Sequence, residues 1–158
     1  MNYMNFFIKN KKPHLKWTEA YPNSDICILE DFSFEQKLEI IEPYFSNCSR
    51  ILLKIFFWEK HNNFCEYLST FDIKNIELIK HYKGRTLPGI LLISFDKYEK
   101  IFIRNLLLCH FNSDFSINPK LNIHPHFLIE YDNLNITILD IYDDRGMYIL
   151  KNRDDIGE

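Results

Sequence analysis

Three short apolar runs separated by turn-forming clusters fill the last third of this chain, and they restrict its fold more than any other feature. They are His126-Phe127-Leu128-Ile129-Glu130-Tyr131, Ile136-Thr137-Ile138-Leu139-Asp140-Ile141-Tyr142 and Met147-Tyr148-Ile149-Leu150. Their β-branched and aromatic residues suit a pleated surface. Asp132-Asn133 and Asp143-Asp144-Arg145-Gly146 form polar breaks between them. Connections this short join antiparallel neighbours, so the segment predicts a C-terminal antiparallel β-meander. In the middle run Ile136, Ile138, Asp140 and Tyr142 fall on one face, and Thr137, Leu139 and Ile141 on the other.

Upstream the pattern alternates between strand and helix. Asp25 to Glu30 has the apolar density of a short strand. Ser33 then offers a hydroxyl to the first free helical amides, and Gln36 completes a capping box. In that helix Phe34, Leu38, Ile41 and Phe45 form one stripe, while Glu35, Glu39 and Glu42 repeat the rhythm one position later. Pro43 distorts or ends its last turn. Arg50 to Trp58 predicts a central strand; 64–71 and 73–82 are compatible with two short helices. Gly84 and Pro88-Gly89 punctuate the chain before a strand over Ile90 to Phe95. Asp96 as N-cap, with Glu99 at the third helical position, opens a helix whose apolar face is Tyr98, Ile101, Phe102, Asn105, Leu106 and Cys109. The sum is an α+β fold, a single mixed or antiparallel β-sheet with helices packed on it. One domain over 1–158 is expected, with 1–24 as an N-terminal arm.

With 46% hydrophobic residues and 16% aromatics the chain has ample material for a core, which excludes a disordered class. Ala20 is the single alanine and there are four glycines, so the aromatic excess reflects an AT-biased coding sequence. Cys27, Cys48, Cys65 and Cys109 contain no C-x-x-C pair and read as reduced, mostly buried thiols. No export signal precedes the lysines of the first residues, and the longest apolar run, Ile51 to Trp58, is broken by Lys54. A soluble cytoplasmic protein with no membrane partner is therefore expected.

Net charge is −3, but it is unevenly spread. Residues 25–47 carry six acids against Lys37, and 130–158 carry eight acids against three bases. Two acidic segments argue against nucleic acid as a partner over the whole surface and leave room for a basic protein. Lys9, Lys11, Lys12, Lys16 and Trp17 are the exception, a basic arm able to touch phosphates and stack a base.

Asp143, Asp144 and Arg145 admit a chemical reading, yet a tight turn explains them more simply. Asp143 accepts a backbone amide two residues on, Gly146 supplies positive φ, and Arg145 offers its fork of donors to a partner. His124-Pro125-His126, with His110 upstream, lacks a carboxylate or thiol at a zinc-ligand interval. Ser49, Ser69 and Ser94 lack a nucleophile elbow, and four glycines build no phosphate loop. No catalytic residue, metal or cofactor is assigned, and the protein is expected not to be an enzyme.

Asn112, Asp114, Phe115, Ile117 and Pro119, followed by two strands and Tyr142-Asp143-Asp144-Arg145-Gly146, carry a family resemblance. They make the chain similar to a bacterial domain family of unknown function numbered 3885, whose members end in N-x-D-F-x-I-x-P and Y-D-D-R-G. The resemblance spans 90–150, with a similar layout upstream. Ser116 stands where members tend to have Gly, and Tyr148 where an acid is usual. It implies the scaffold and carries no chemistry.

Small size, missing catalysis and local acidity point to an immunity protein that neutralises a cognate toxin, a basic nuclease of the kind used in contact-dependent growth inhibition, by occluding its active site. Glu30, Asp31, Glu35, Glu39, Glu42, Asp143, Asp144 and Arg145 are the expected contact residues. The alternatives are a nucleic-acid-binding or regulatory module using the basic arm, and a metal-dependent hydrolase built on His124, His126 and the Asp143/Asp144 pair.

Overall fold

A computed structural model of the chain describes residues 3–14, 24–58, 61–71, 73, 75–80, 87–113, 115, 117–132 and 134–152. In chain order the elements are α1 (Tyr3–Lys9), β1 (Asp25–Ile28), α2 (Phe34–Ile41) with a 3-10 turn over Glu42–Phe45, and β2 (Cys48–Phe57). Then follow α3 (His61–Ser69), β3 (Ile76–Lys80), β4 (Gly89–Phe95), α4 (Lys100–Ser113), β5 (Ile123–Tyr131), β6 (Ile136–Asp143) and β7 (Gly146–Asn152). The strands make one antiparallel sheet in the order β1-β7-β6-β5-β2-β4-β3. β5, β6 and β7 are the expected meander, in a register that sets Leu128 opposite Ile138 and Ile138 opposite Leu150. None of the helices among the described residues is long and apolar enough to cross a membrane.

β2 runs through the middle of this sheet, and Ile51 to Phe57 are buried without a break. A strand covered on both faces reads as a continuous apolar run, which is why it shows no alternation. On the first face Ile51, Leu53, Ile55 and Phe57 join a core with Leu38 and Ile41 of α2, Phe64 of α3, and Ile103 and Leu106 of α4. Ring contacts cross from helix to strand at Phe57 and Phe64 (4.9 Å) and at Phe95 and Phe102 (5.7 Å). Gly89 lies opposite Phe57, where an added Cβ would sit 2.2 Å from the ring, so glycine is what allows that ring its place. α2 starts as expected: Ser33 Oγ accepts from Gln36 N at 3.2 Å, and Gln36 Oε1 accepts from Ser33 N at 2.9 Å.

The second face holds Leu52, Leu128, Ile138 and Leu150, closed by Phe7 of α1. Here the structure departs from the expected N-terminal arm, because Tyr3–Lys9 is helical and Phe7 is 1% exposed. Lys54 is the reason. Its ammonium donates to the carbonyls of Phe7, Ile8 (2.9 Å) and Asn10 (2.8 Å), which are the acceptors left over at a helix end. The same ammonium lies 5.1 Å from the Phe7 ring centroid, and burial pushes its pKa down to about 8. Lys16, Trp17, Gly84, Asp114 and Ser116 lie outside the described residues.

Four further expectations are corrected. The helix over 73–82 is absent; Ile76 to Lys80 forms β3, pairing along β4, because an edge position rewards the alternation of Ile76 and Leu78 over helical spacing. Asp96 does not cap α4, which begins at Lys100 with Ile103 N bonded to Glu99 O at 3.0 Å. The buried face of α4 is Phe102, Ile103, Leu106, Leu107, Cys109, His110 and Phe111, while Ile101 is 73% exposed. A helix apolar nearly all round gives no polar stripe to orient it, so the sheet chooses the face. The thiols are less buried than expected: Cys109 is buried, but Cys27 and Cys48 are only partly so.

Replacing Lys54 by Met should lower the unfolding free energy by about 2–4 kcal/mol, since it strands the carbonyls at the end of α1. Phe7→Ala should cost about 3 kcal/mol. Urea melts measure both; losses below about 0.5 kcal/mol would mean that α1 does not seal the second face.

Candidate functional site

Five of the residues expected to meet a partner converge with no help from the helix stripe. The chain leaving β1 is fastened to the β6–β7 hairpin because Leu29 N (2.7 Å) and Glu30 N (3.0 Å) both donate to Arg145 O. That clamp brings Glu30 and Asp31 to the rim of the same open cleft as Asp143, Asp144 and Arg145, with a volume of about 850 Å3. Lys37 enters from α2, 4.0 Å from Asp144, so the cleft has four carboxylates against two cations. Phe32 (43% exposed) and Phe115 (61% exposed) supply apolar surface at its edge.

The hairpin is held from within. Asp143 Oδ1 accepts from Arg145 N at 2.7 Å, the Asx turn expected from the sequence. Arg145 does not offer its fork outward, however, because Nε (3.0 Å) and Nη2 (2.6 Å) both donate to Asp143 Oδ2. Gly146 also has a different role from the expected one. Its φ is not in the left-handed range; a Cβ there would lie 2.3 Å from the Tyr142 hydroxyl and 2.8 Å from the backbone oxygen of Cys27. Close approach of β1 is what demands glycine.

The acidic stripe of α2 is largely spent inside the molecule. Arg104 of α4 donates to Glu35 Oε2 at 2.9 Å and lies 3.4 Å from Glu42 Oε1. The Tyr98 hydroxyl donates to Glu42 Oε2 at 2.9 Å, and burial followed by this carboxylate raises its pKa. Glu39 remains exposed. Glu35 and, from the 3-10 turn, Glu42 therefore tie this segment to α4, although the Glu35 side chain stays 71% exposed.

A second cluster is buried between β5 and β6. His124 and His126 alternate onto one face of β5, and His126 stands opposite Asp140 of β6. His124 Nε2 is 2.5 Å and His126 Nε2 3.3 Å from Asp140 Oδ1, with all three side chains at most 2% exposed. His126 Nε2 also lies 3.1 Å from Pro13 O, and the His14 ring is 5.0 Å from that of His124. Burial alone would raise the Asp140 pKa, but His126 and His124 outweigh it and hold the carboxyl well below its usual range. Burial lowers His124 against the pull of Asp140. His110, between the carbonyls of Ile123 (2.9 Å) and Ile141 (2.8 Å), is pushed down to about 4 by burial.

The histidines were visible in the sequence as a pair lacking a third donor. Asp140 is that donor, 14 residues beyond His126 and on the next strand. Of the carboxylates expected to join the histidines, Asp143 lines both the hairpin cleft and the cavity beside His124 and Asp140, while Asp144 lines the hairpin cleft. The available signal was that Asp140 interrupts the apolar face of Ile136 and Ile138, and a charge in that place needs a buried partner.

Gly146→Ala should lower stability by roughly 1–3 kcal/mol, read from urea melts, by prying β1 from β7. A change within about 0.5 kcal/mol would show that β1 tolerates the added methyl. Compared with family models, with curated proteins and with solved structures, the chain matches none.

Proposed function

We propose that this chain is an immunity protein that binds a basic bacterial toxin domain in the cytoplasm, a nuclease by the charge of its active site, and blocks it. The observation that carries this is the convergence of Glu30, Asp31, Asp143 and Asp144 on one cleft, with Phe32 and Phe115 beside them. Carboxylates around an open cleft attract a cationic surface from a distance and speed encounter. Exposed Ile28 and the two rings provide the apolar area that slows dissociation. Asp143 already neutralises Arg145 and Asp144 is shared with Lys37 at 4.0 Å, so the attraction comes chiefly from Glu30 and Asp31, with Asp144 contributing the rest.

On this proposal the helices covering the first face serve as scaffold, and the β1–α2 connection with the β6–β7 hairpin as the working edge. Of the residues on which the resemblance to the bacterial domain family rests, Phe115, Asp143, Asp144 and Arg145 line the cleft at that edge. Asn112 Nδ2 donates to Pro119 O at 3.0 Å and shapes the loop that carries Phe115, while Tyr142 to Gly146 forms the hairpin. No chemistry is required of either motif.

The test uses the protein encoded by the adjacent gene, where an immunity gene has its toxin. The chain should protect cells expressing that protein and bind it in vitro. Glu30→Gln, Asp31→Asn and Asp144→Asn together should slow association at least about tenfold at low salt and weaken its salt dependence, with the fold unchanged. Glu35→Gln with Glu42→Gln should leave association within about twofold and cost less than about 1 kcal/mol of stability. Undiminished protection and association in the triple variant would remove the cleft from the interface.

A further inference from the structure

We propose that His124, His126 and Asp140 form a binding site for a divalent transition metal, with Zn2+ the best-suited ion. The inference is independent of partner binding. The donor atoms of the three side chains all lie within 4.8 Å of one another. They stand on two neighbouring strands whose register places His126 directly across from Asp140, so the backbone holds them together without any loop. Two imidazoles and one carboxylate suit Zn2+, whereas Mg2+ and Ca2+ take oxygen ligands.

One of the donor separations is already that of a bound site. Tetrahedral bonds of about 2.0–2.1 Å put neighbouring donors roughly 3.3 Å apart. His126 Nε2 and Asp140 Oδ1 are 3.3 Å apart, whereas His124 Nε2, at 2.5 Å from the same oxygen, has to move back to admit an ion between them. Both imidazoles present the same nitrogen, Nε2, to the same oxygen. A single cation requires donors to converge in this way.

Burial makes a cation valuable here. A carboxylate at 1% exposure needs compensating charge, and Phe56 walls the site with its ring 5.0 Å from that of His126. Access exists on the other side, where a cavity of about 620 Å3 is lined by His124, Asp140, His14, Tyr142 and Tyr148. Three protein ligands with a fourth position toward a cavity leave that position for water or a small anion.

The whole chain, stripped with chelator and dialysed against Zn2+, should retain one ion by elemental analysis. Co2+ in its place should give the visible absorption of a tetrahedral centre. Zn2+ at about a hundredfold above its Kd should raise Tm by at least about 5 °C. Asp140→Asn and His126→Gln, checked for folding by circular dichroism, should each retain less than about 0.1 equivalent. Should either variant not fold, ring-nitrogen chemical shifts of the natural chain decide: Zn2+ should move the Nε2 signals of His124 and His126 and spare those of His110. Retention below about 0.1 equivalent by the natural chain, undiminished binding in both variants, or shifts confined to other histidines would each overturn the proposal.

Discussion

Lys54 places an ammonium in the middle of the most deeply buried strand of the sheet, and the second face is organised around satisfying it. Left alone, such a charge would be pushed toward neutrality by desolvation. It is instead surrounded by the carbonyls at the end of α1, which have no helical donors of their own. Each group removes the other's cost of burial. The consequence is that Phe7 reaches Leu52, Leu128, Ile138 and Leu150, and a segment with the composition of a solvated arm becomes part of the core.

The same face carries the histidine cluster, next to the Lys54 position along β5. Lys54 stands opposite His126, and Phe56 opposite His124. β2 and β5 therefore bring a cation, two imidazoles and an aromatic wall into a single strip, with Asp140 of β6 providing the negative charge. Polar groups in a buried strip specify register strongly, because a slip of one residue would turn every one of them to the wrong face. The acidic cleft opens beside it at the β1 edge, and Glu30, Asp143 and Arg145 line both that cleft and the cavity reaching His124 and Asp140. Buried and exposed acids thus serve different physical ends in the same molecule.

How much was legible follows the range of each interaction. The cap of α2, the meander of β5 to β7 and the Asx turn at Asp143 each depend on residues a few positions apart, and each appears as expected. Of the candidate site, Glu30, Asp31, Asp143 and Asp144 were identified by type, but their gathering round one cleft needed the bonds from Leu29 and Glu30 to Arg145. Glu35 lies on the expected helix, whereas Glu42 falls in the 3-10 turn that follows it. Their ion pairs to Arg104 were invisible, since the partner lies more than sixty residues away on another helix.

By itself the sequence determined which segments are strands or helices wherever periodicity, caps and turn residues agreed, and it determined that the protein has one α+β sheet. Tertiary structure decided the rest. It turned 76–80 into an edge strand, rotated α4 so that Ile103 and Leu107 are buried and Ile101 is exposed, docked α1 on Lys54, and supplied Asp140 to His124 and His126. The physical reason is common to all four. Local patterns state what a segment can pair with, while the choice among partners depends on strand order and register, which only the closed sheet establishes.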